Sequence, residues 1–120
     1  MKLIKSFGFA WNGLKICFAA EINFKIHVLT AIIVIALGIG LHISMLEWGV
    51  IILCIVLVMT MEMINTAIEK LCDVVQKEFH PAIQKVKDIA AGAVLVAAVC
   101  SLLTWAVIFL PKIINCLKSI

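Results

Sequence analysis

Charge is scarce in this chain. Only 14% of its 120 residues are Asp, Glu, Lys or Arg, against 65% hydrophobic, and the mean hydropathy is +1.23. Soluble domains average roughly 25% charged and 45–50% apolar residues, so the composition excludes a water-soluble domain, a disordered segment and a disulfide-stapled scaffold alike. Arginine is absent: all ten basic residues are lysines, set against seven acids. The balance of +3 is too small and too dispersed for a nucleic-acid surface, and suits lysines at a membrane surface. The five cysteines (17, 54, 72, 100 and 116) include no C-x-x-C pair, which leaves no disulfide framework or zinc site. They read as small apolar residues. No cleavable signal peptide is expected, because Lys2, Lys5, Lys15, Glu21 and Lys25 interrupt the first 27 residues.

Three long apolar stretches are present. Residues 28–46 would rise about 29 Å as a helix, close to the thickness of a hydrocarbon core. A second apolar stretch, 48–68, carries polar residues in its last third, and a third, 89–111, closes at Pro111. Residues 2–20 place Leu3, Ile4, Phe7, Ala10, Trp11, Leu14 and Phe18 on one side of a helical wheel and Lys2, Lys5, Asn12 and Lys15 on the other. That pattern describes an amphipathic helix lying on the membrane surface. The expected fold is therefore an all-α membrane protein, one domain over 1–120, with a surface helix and three transmembrane helices. Eight of the ten lysines lie in 2–25 and 70–87, so the positive-inside rule puts the N-terminus and the 69–88 loop in the cytoplasm and the C-terminus outside.

The polar residues of the second span are not scattered. Glu62, Asn65, Glu69 and Asp73 follow at i, i+3, i+7 and i+11, which makes one polar stripe on an apolar helix. A carboxylate at the centre of a membrane helix costs about 2.5–3.5 kcal/mol on insertion scales, so it marks a functional site by default. Glu69 and Asp73 also fit a helix emerging into water; Glu62 with Asn65 fits that less well. Carboxylates facing one space suit a hard divalent cation such as Mg2+, which commonly bridges to phosphates. Gly8 to Lys15 is no phosphate-binding loop, since its lysine is one place late and no Ser or Thr follows. A second cluster, Glu78-Phe79-His80-Pro81 through Lys87-Asp88, sets cations beside acids just before the third span. His27, His42 and His80 are isolated from one another and read as interfacial hydrogen-bonding groups. Gly38, Gly40 and Gly92 are small residues that let helices approach.

Glu62-x-x-Asn65-Thr66-Ala67-Ile68-Glu69, Glu78-Phe79-His80-Pro81 and Lys87-Asp88-Ile89-Ala90-Ala91-Gly92-Ala93-Val94 resemble the bacterial integral-membrane diacylglycerol kinase family, which includes undecaprenol kinases. The resemblance also takes in Trp11, Gly13 and Glu21-x-Asn23-x-Lys25-Ile26-His27, and so covers nearly the whole chain. It implies an ATP- and Mg2+-dependent lipid kinase of the bacterial cytoplasmic membrane, forming a homotrimer with active sites shared between subunits. By the same resemblance Glu62 is the general base, Glu21 and Glu69 hold Mg2+ and the nucleotide phosphates, and Asn65 supports that cluster. Lys87, with Asp88 nearby, would lie against the transferring phosphoryl group. Glu78, His80 and Lys2 would contact the nucleotide, and Trp11 the lipid. Lys2 and Lys25 stand where many members carry Arg, and Phe9 where some carry Tyr. The Asn23-x-Lys25-Ile26-His27 segment is more similar to the undecaprenol-kinase branch, with diacylglycerol the alternative acceptor. From the residues alone, two other readings stay open: a cation- or proton-handling membrane protein that uses no nucleotide, and an assembly subunit whose polar stripe pairs helices.

Overall fold

The computed structural model describes residues 1–120 as four helices: α1 (Lys2–Ala20), α2 (Ile22–Gly40), α3 (Met45–Val75) and α4 (Pro81–Lys118). The chain is thus all-helical, and α2, α3 and α4 are each long and apolar enough to cross a membrane. Glu21 alone separates α1 from α2. Its extended backbone (φ −112°, ψ 114°) turns the chain while its N–H still bonds to the Cys17 carbonyl.

The helix boundaries differ from the charge-free windows, and local chemistry explains each difference. α2 ends at Gly40, six residues before the uncharged stretch does. The Ile43 N–H bonds back to the Gly38 carbonyl and the His42 N–H to the Ile39 carbonyl, with His42 in the left-handed region at φ 52°. This is a Schellman stop with histidine where glycine is usual. Ser44 then caps α3 reciprocally: its Oγ accepts from the Glu47 N–H at 3.2 Å, and Glu47 Oε1 accepts from the Ser44 N–H at 3.0 Å. The α2 window also began late, because Asn23 and Lys25 lie within the helix. At the other end α4 passes through Pro111 instead of closing there. In a lipid environment the helix is the only way to satisfy the backbone, so one lost bond does not end it. The start of α4 is fixed by His80, whose Nδ1 accepts from the Ala82 N–H at 3.1 Å, and by Pro81 in the first turn.

α3 and α4 form the main antiparallel pair, with α2 packed on α3 and α1 resting on both through its C-terminal half. The tight core, Val34, Ile43, Ile51, Trp105 and Phe109, sits toward the α2–α3 turn. There Lys112 Nζ lies 3.2 Å from Glu47 Oε1, tying the end of α4 to the start of α3. Of the glycines expected to allow close approach, Gly38 does: a Cβ built on it would lie 2.7 Å from the Trp48 ring and 3.0 Å from Ile43, whereas nothing lies within 4 Å of one on Gly40 or Gly92. Gly38→Ala is therefore expected to destabilise the chain by about 1–3 kcal/mol, the usual cost of overpacking. Denaturant unfolding in detergent measures this, and an unchanged midpoint would show that Trp48 yields freely.

Candidate active site

The polar stripe of α3 lies at the opposite end of the bundle from that core. Glu62 and Asn65 are buried, Glu69 is half-buried and Asp73 is exposed, so the stripe grades from interior to water along a single helix face. α1 and α2 close over its inner end. Cys17 of α1 and Thr66 of α3 are both buried at their contact, and Thr66 Oγ1 donates to the Glu62 carbonyl at 3.0 Å. Burial raises the Cys17 thiol above its ordinary value, an effect that outweighs its hydrogen bond with Thr66. Little thiolate is then present near neutral pH. Maleimide should modify exposed Cys116 well before Cys17, and Cys17 should begin to react only above the ordinary thiol range. Equal labelling rates at pH 7 would mean that α1 does not stay docked.

Glu62 is only 2% exposed, and its Oε2 lies 3.6 Å from His27 Nε2 on α2. Glu21 and Glu69 are close enough for their charges to act on Glu62 as well. Asn65 Nδ2 donates to Glu69 Oε1 at 3.2 Å, which leaves Asn65 Oδ1 buried without a partner. The cluster thus gathers His27 from α2, Glu62, Asn65 and Glu69 from α3, and Glu21 from the link between α1 and α2. No group of three or more His, Cys, Asp or Glu side chains is close enough to enclose a metal ion by itself. Mg2+ does not require such a cage: it takes oxygen donors, keeps several waters and shares its shell with phosphates. The carboxylate and amide oxygens of Glu21, Glu62, Asn65 and Glu69, with Asn65 Oδ1 unpartnered beside Glu69, fit that chemistry.

The second cluster meets the first at Lys87. Lys87 Nζ donates to Asp73 Oδ1 at 2.7 Å, and the charge of Glu69 also reaches it. Asp88 faces a different neighbour, accepting from Gln84 Nε2 at 2.9 Å. Not every expected residue is drawn in. Glu78 and His80 are exposed in the turn between α3 and α4, where His80 serves as a cap. Lys2 is exposed at the start of α1, about 22 Å of helix from Cys17. Trp11 lines a wide groove between α1 and α2 with Leu14, Phe18, Phe24 and Val28, and Lys15 Nζ stands 5.9 Å from its ring centroid.

Two residues gained a place that sequence reasoning did not give them. His27 read as an interfacial histidine, and its approach to Glu62 depends on α2 packing against α3, which no spacing within one helix encodes. Asp73 read as helix emerging into water, although its position on the Glu62 stripe was the available signal; the structure makes it the partner of Lys87. From His27 a cleft of about 200 Å3 runs between α2, α3 and α4 toward the core, walled by Thr30, Val58, Met59, Ser101 and Trp105 among others.

The buried Glu62 carboxylate thus adjoins the apolar cleft through His27, and the other carboxylates and Lys87 lie toward the water side. Comparison with known proteins gives the family. Residues 8–109 match the prokaryotic diacylglycerol kinase family. The chain is 37% identical to a protein of Synechocystis sp. named diacylglycerol kinase, over 94% of this chain but only 65% of that protein's length. It is 38% identical to a Bacillus subtilis protein named undecaprenol kinase, over 93% of this chain and 91% of that protein. A diacylglycerol kinase of Escherichia coli is 27% identical over 89% and 88% of the two chains. With most of its length matched, and matched in the helices that assemble the carboxylate cluster, the chain belongs to the prokaryotic diacylglycerol kinase family of membrane lipid kinases.

Proposed function

We propose that this chain transfers the γ-phosphoryl group of ATP to the primary hydroxyl of a long-chain membrane alcohol. The observation that carries the reading is the buried Glu62, 3.6 Å from His27, a residue of the apolar cleft, and on the same helix face as the more exposed Glu69 and Asp73, the latter paired with Lys87. A lipid in the cleft presents its hydroxyl to Glu62, which takes the proton as the hydroxyl oxygen attacks the γ-phosphorus; the bond to the bridging oxygen breaks and ADP leaves. His27 holds the Glu62 carboxylate in place from the side. Glu21 and Glu69, supported by Asn65, would hold Mg2+, which would supply neutralisation of phosphate charge. Lys87 and Asp88 lie toward the phosphates, and Lys87 exchanges Asp73 for the transferring group. Phosphoryl transfer asks for little else, because its catalysis is mostly positioning and charge stabilisation.

Lys2, Glu78 and His80 lie away from the cluster within one chain, and three apolar helices leave broad surfaces uncovered. The first fact supports an assembly in which a neighbouring subunit brings nucleotide contacts to the site, and the family resemblance makes that assembly a homotrimer. Its place is the bacterial cytoplasmic membrane, with the nucleotide side at the N-terminus and the 69–88 loop, where most lysines lie.

Undecaprenol is the acceptor that the Asn23-x-Lys25-Ile26-His27 segment favours. Diacylglycerol is the second reading, favoured by two polar groups deeper in the cleft. Mixed micelles containing labelled ATP, Mg2+ and each lipid in parallel test the proposal. Phosphorylated lipid is the expected product, and its ratio ranks the acceptors. A folded, assembled protein that phosphorylates neither would return the weight to an ion-handling role.

A further inference from the structure

Below His27, the cleft contains a polar feature that the transfer chemistry leaves unused. The chain has eight Ser and Thr residues. Six of them, Ser6, Thr30, Thr60, Thr66, Thr104 and Ser119, donate to the carbonyl four residues earlier, and Ser44 caps α3. Ser101 alone makes no hydrogen bond, although it is only 2% exposed. One turn further along α4, the Trp105 indole N–H is also buried and unpartnered, in a residue 9% exposed. Both residues line the same cleft as His27. Two neighbouring donors buried without a protein partner call for an acceptor oxygen, since buried polar groups are normally satisfied.

The depth of the pair indicates what carries that oxygen. Ser101 shares the cleft with Ile55 and Val58, which precede Glu62 on α3 by seven and four residues, placing the pair about 6–10 Å farther from the cytoplasm. In a glycerolipid the free hydroxyl and the farther ester carbonyl oxygen are six bonds apart. That is about 7 Å extended, and a hydrogen bond of about 2.8 Å at each end brings the reach to about 12 Å. A polyprenol has only its hydroxyl and nothing to offer at that depth. Ser101 is reached only through the cleft, which admits a chain more readily than another helix. Water is the other occupant that two donors suit, and the test below separates it from an ester carbonyl.

We infer that Ser101 and Trp105 form a subsite for the ester carbonyl oxygen of a glycerolipid whose free hydroxyl lies at Glu62; the inference rests on the lipid-kinase reading above. The subsite weighs for diacylglycerol, the second reading above, against the undecaprenol that the Asn23-x-Lys25-Ile26-His27 segment favours. The full-length wild type, Ser101→Ala and Trp105→Phe are assayed with ATP and Mg2+ on three acceptors: 1,2-diacylglycerol, a 1,2-dialkylglycerol of equal chain length, and undecaprenol. The ether lipid keeps the hydroxyl and both chains and lacks only the carbonyls. The wild type should prefer ester to ether by about 10-fold in kcat/KM, and each variant should lose about 3- to 10-fold on the ester lipid alone, mostly in KM. A wild type indifferent to ester against ether overturns the inference without reference to any variant. Losses shared equally by all three lipids, or no loss on any, overturn it too, by assigning the pair to packing or to water. Transfer to none of the three overturns the lipid-kinase reading itself, a result distinct from the others.

Discussion

Glu62→Gln is expected to lower kcat by about 10²–10⁴-fold, the range that a positioned general base contributes, and to leave the protein folded and assembled. Glutamine keeps the shape of the side chain and an acceptor oxygen for His27, so packing against α2 survives. It cannot take a proton. The position is almost fully enclosed, feels the charges of Glu21 and Glu69, and has His27 Nε2 3.6 Å from its carboxylate. Burying a carboxylate among other carboxylates costs stability, and the uncharged amide removes that cost, so Glu62→Gln should unfold no more readily than the wild type. Lipid phosphorylation and detergent unfolding measured on the same preparation separate the two effects. Activity above about a tenth of wild type would remove Glu62 from the role of base. Loss of activity together with loss of assembly would give the polar stripe a structural role instead.

The parts of this site that could be read from sequence are those that a single helix encodes. Glu62, Asn65 and Glu69 share a face because of helical periodicity, and a carboxylate among residues that must cross lipid stands out in composition. The Asn65–Glu69 hydrogen bond is an i, i+4 contact of the same kind. What was not legible depends on packing between helices. His27 meets Glu62 only because Glu21 breaks the chain and α2 returns along α3. The 41–44 turn was hidden for another reason: none of its residues carries a formal charge, so a charge-free window runs through it, and the signal lay in the Ser44–Glu47 capping pair. Pro111 misled in the opposite direction, since proline ends helices in water more readily than in lipid. The Ser101–Trp105 pair was also beyond a sequence argument. Spacing puts both residues on one face of α4, but only the packed structure shows that neither finds a partner.

Lys87→Met is expected to lower kcat by about 10²–10³-fold, the scale of one lost electrostatic contact to developing charge, whereas Asp73→Asn should change it far less. The argument begins from the pair they form. Lys87 Nζ and Asp73 Oδ1 are 2.7 Å apart, with 31% and 67% of the respective side chains exposed. A pair so open to water contributes little to folding, so neither substitution should alter assembly. The same weakness is useful in turnover, because a lysine held lightly by an exposed aspartate can move to a phosphate that offers more charge. Asp73 then acts as a resting partner that keeps Lys87 beside Glu69, and its loss should appear mainly in the KM for ATP. Methionine retains the length and apolar stem of lysine without the ammonium, which confines the change to charge. Steady-state kinetics over ATP concentration distinguishes the cases. A kcat effect for Asp73→Asn as large as that for Lys87→Met would mean that the ion pair itself is required in the transition state. A Lys87→Met enzyme with near-normal kcat would place the phosphate-facing cation elsewhere, and a lysine from a neighbouring subunit would become the residue to test.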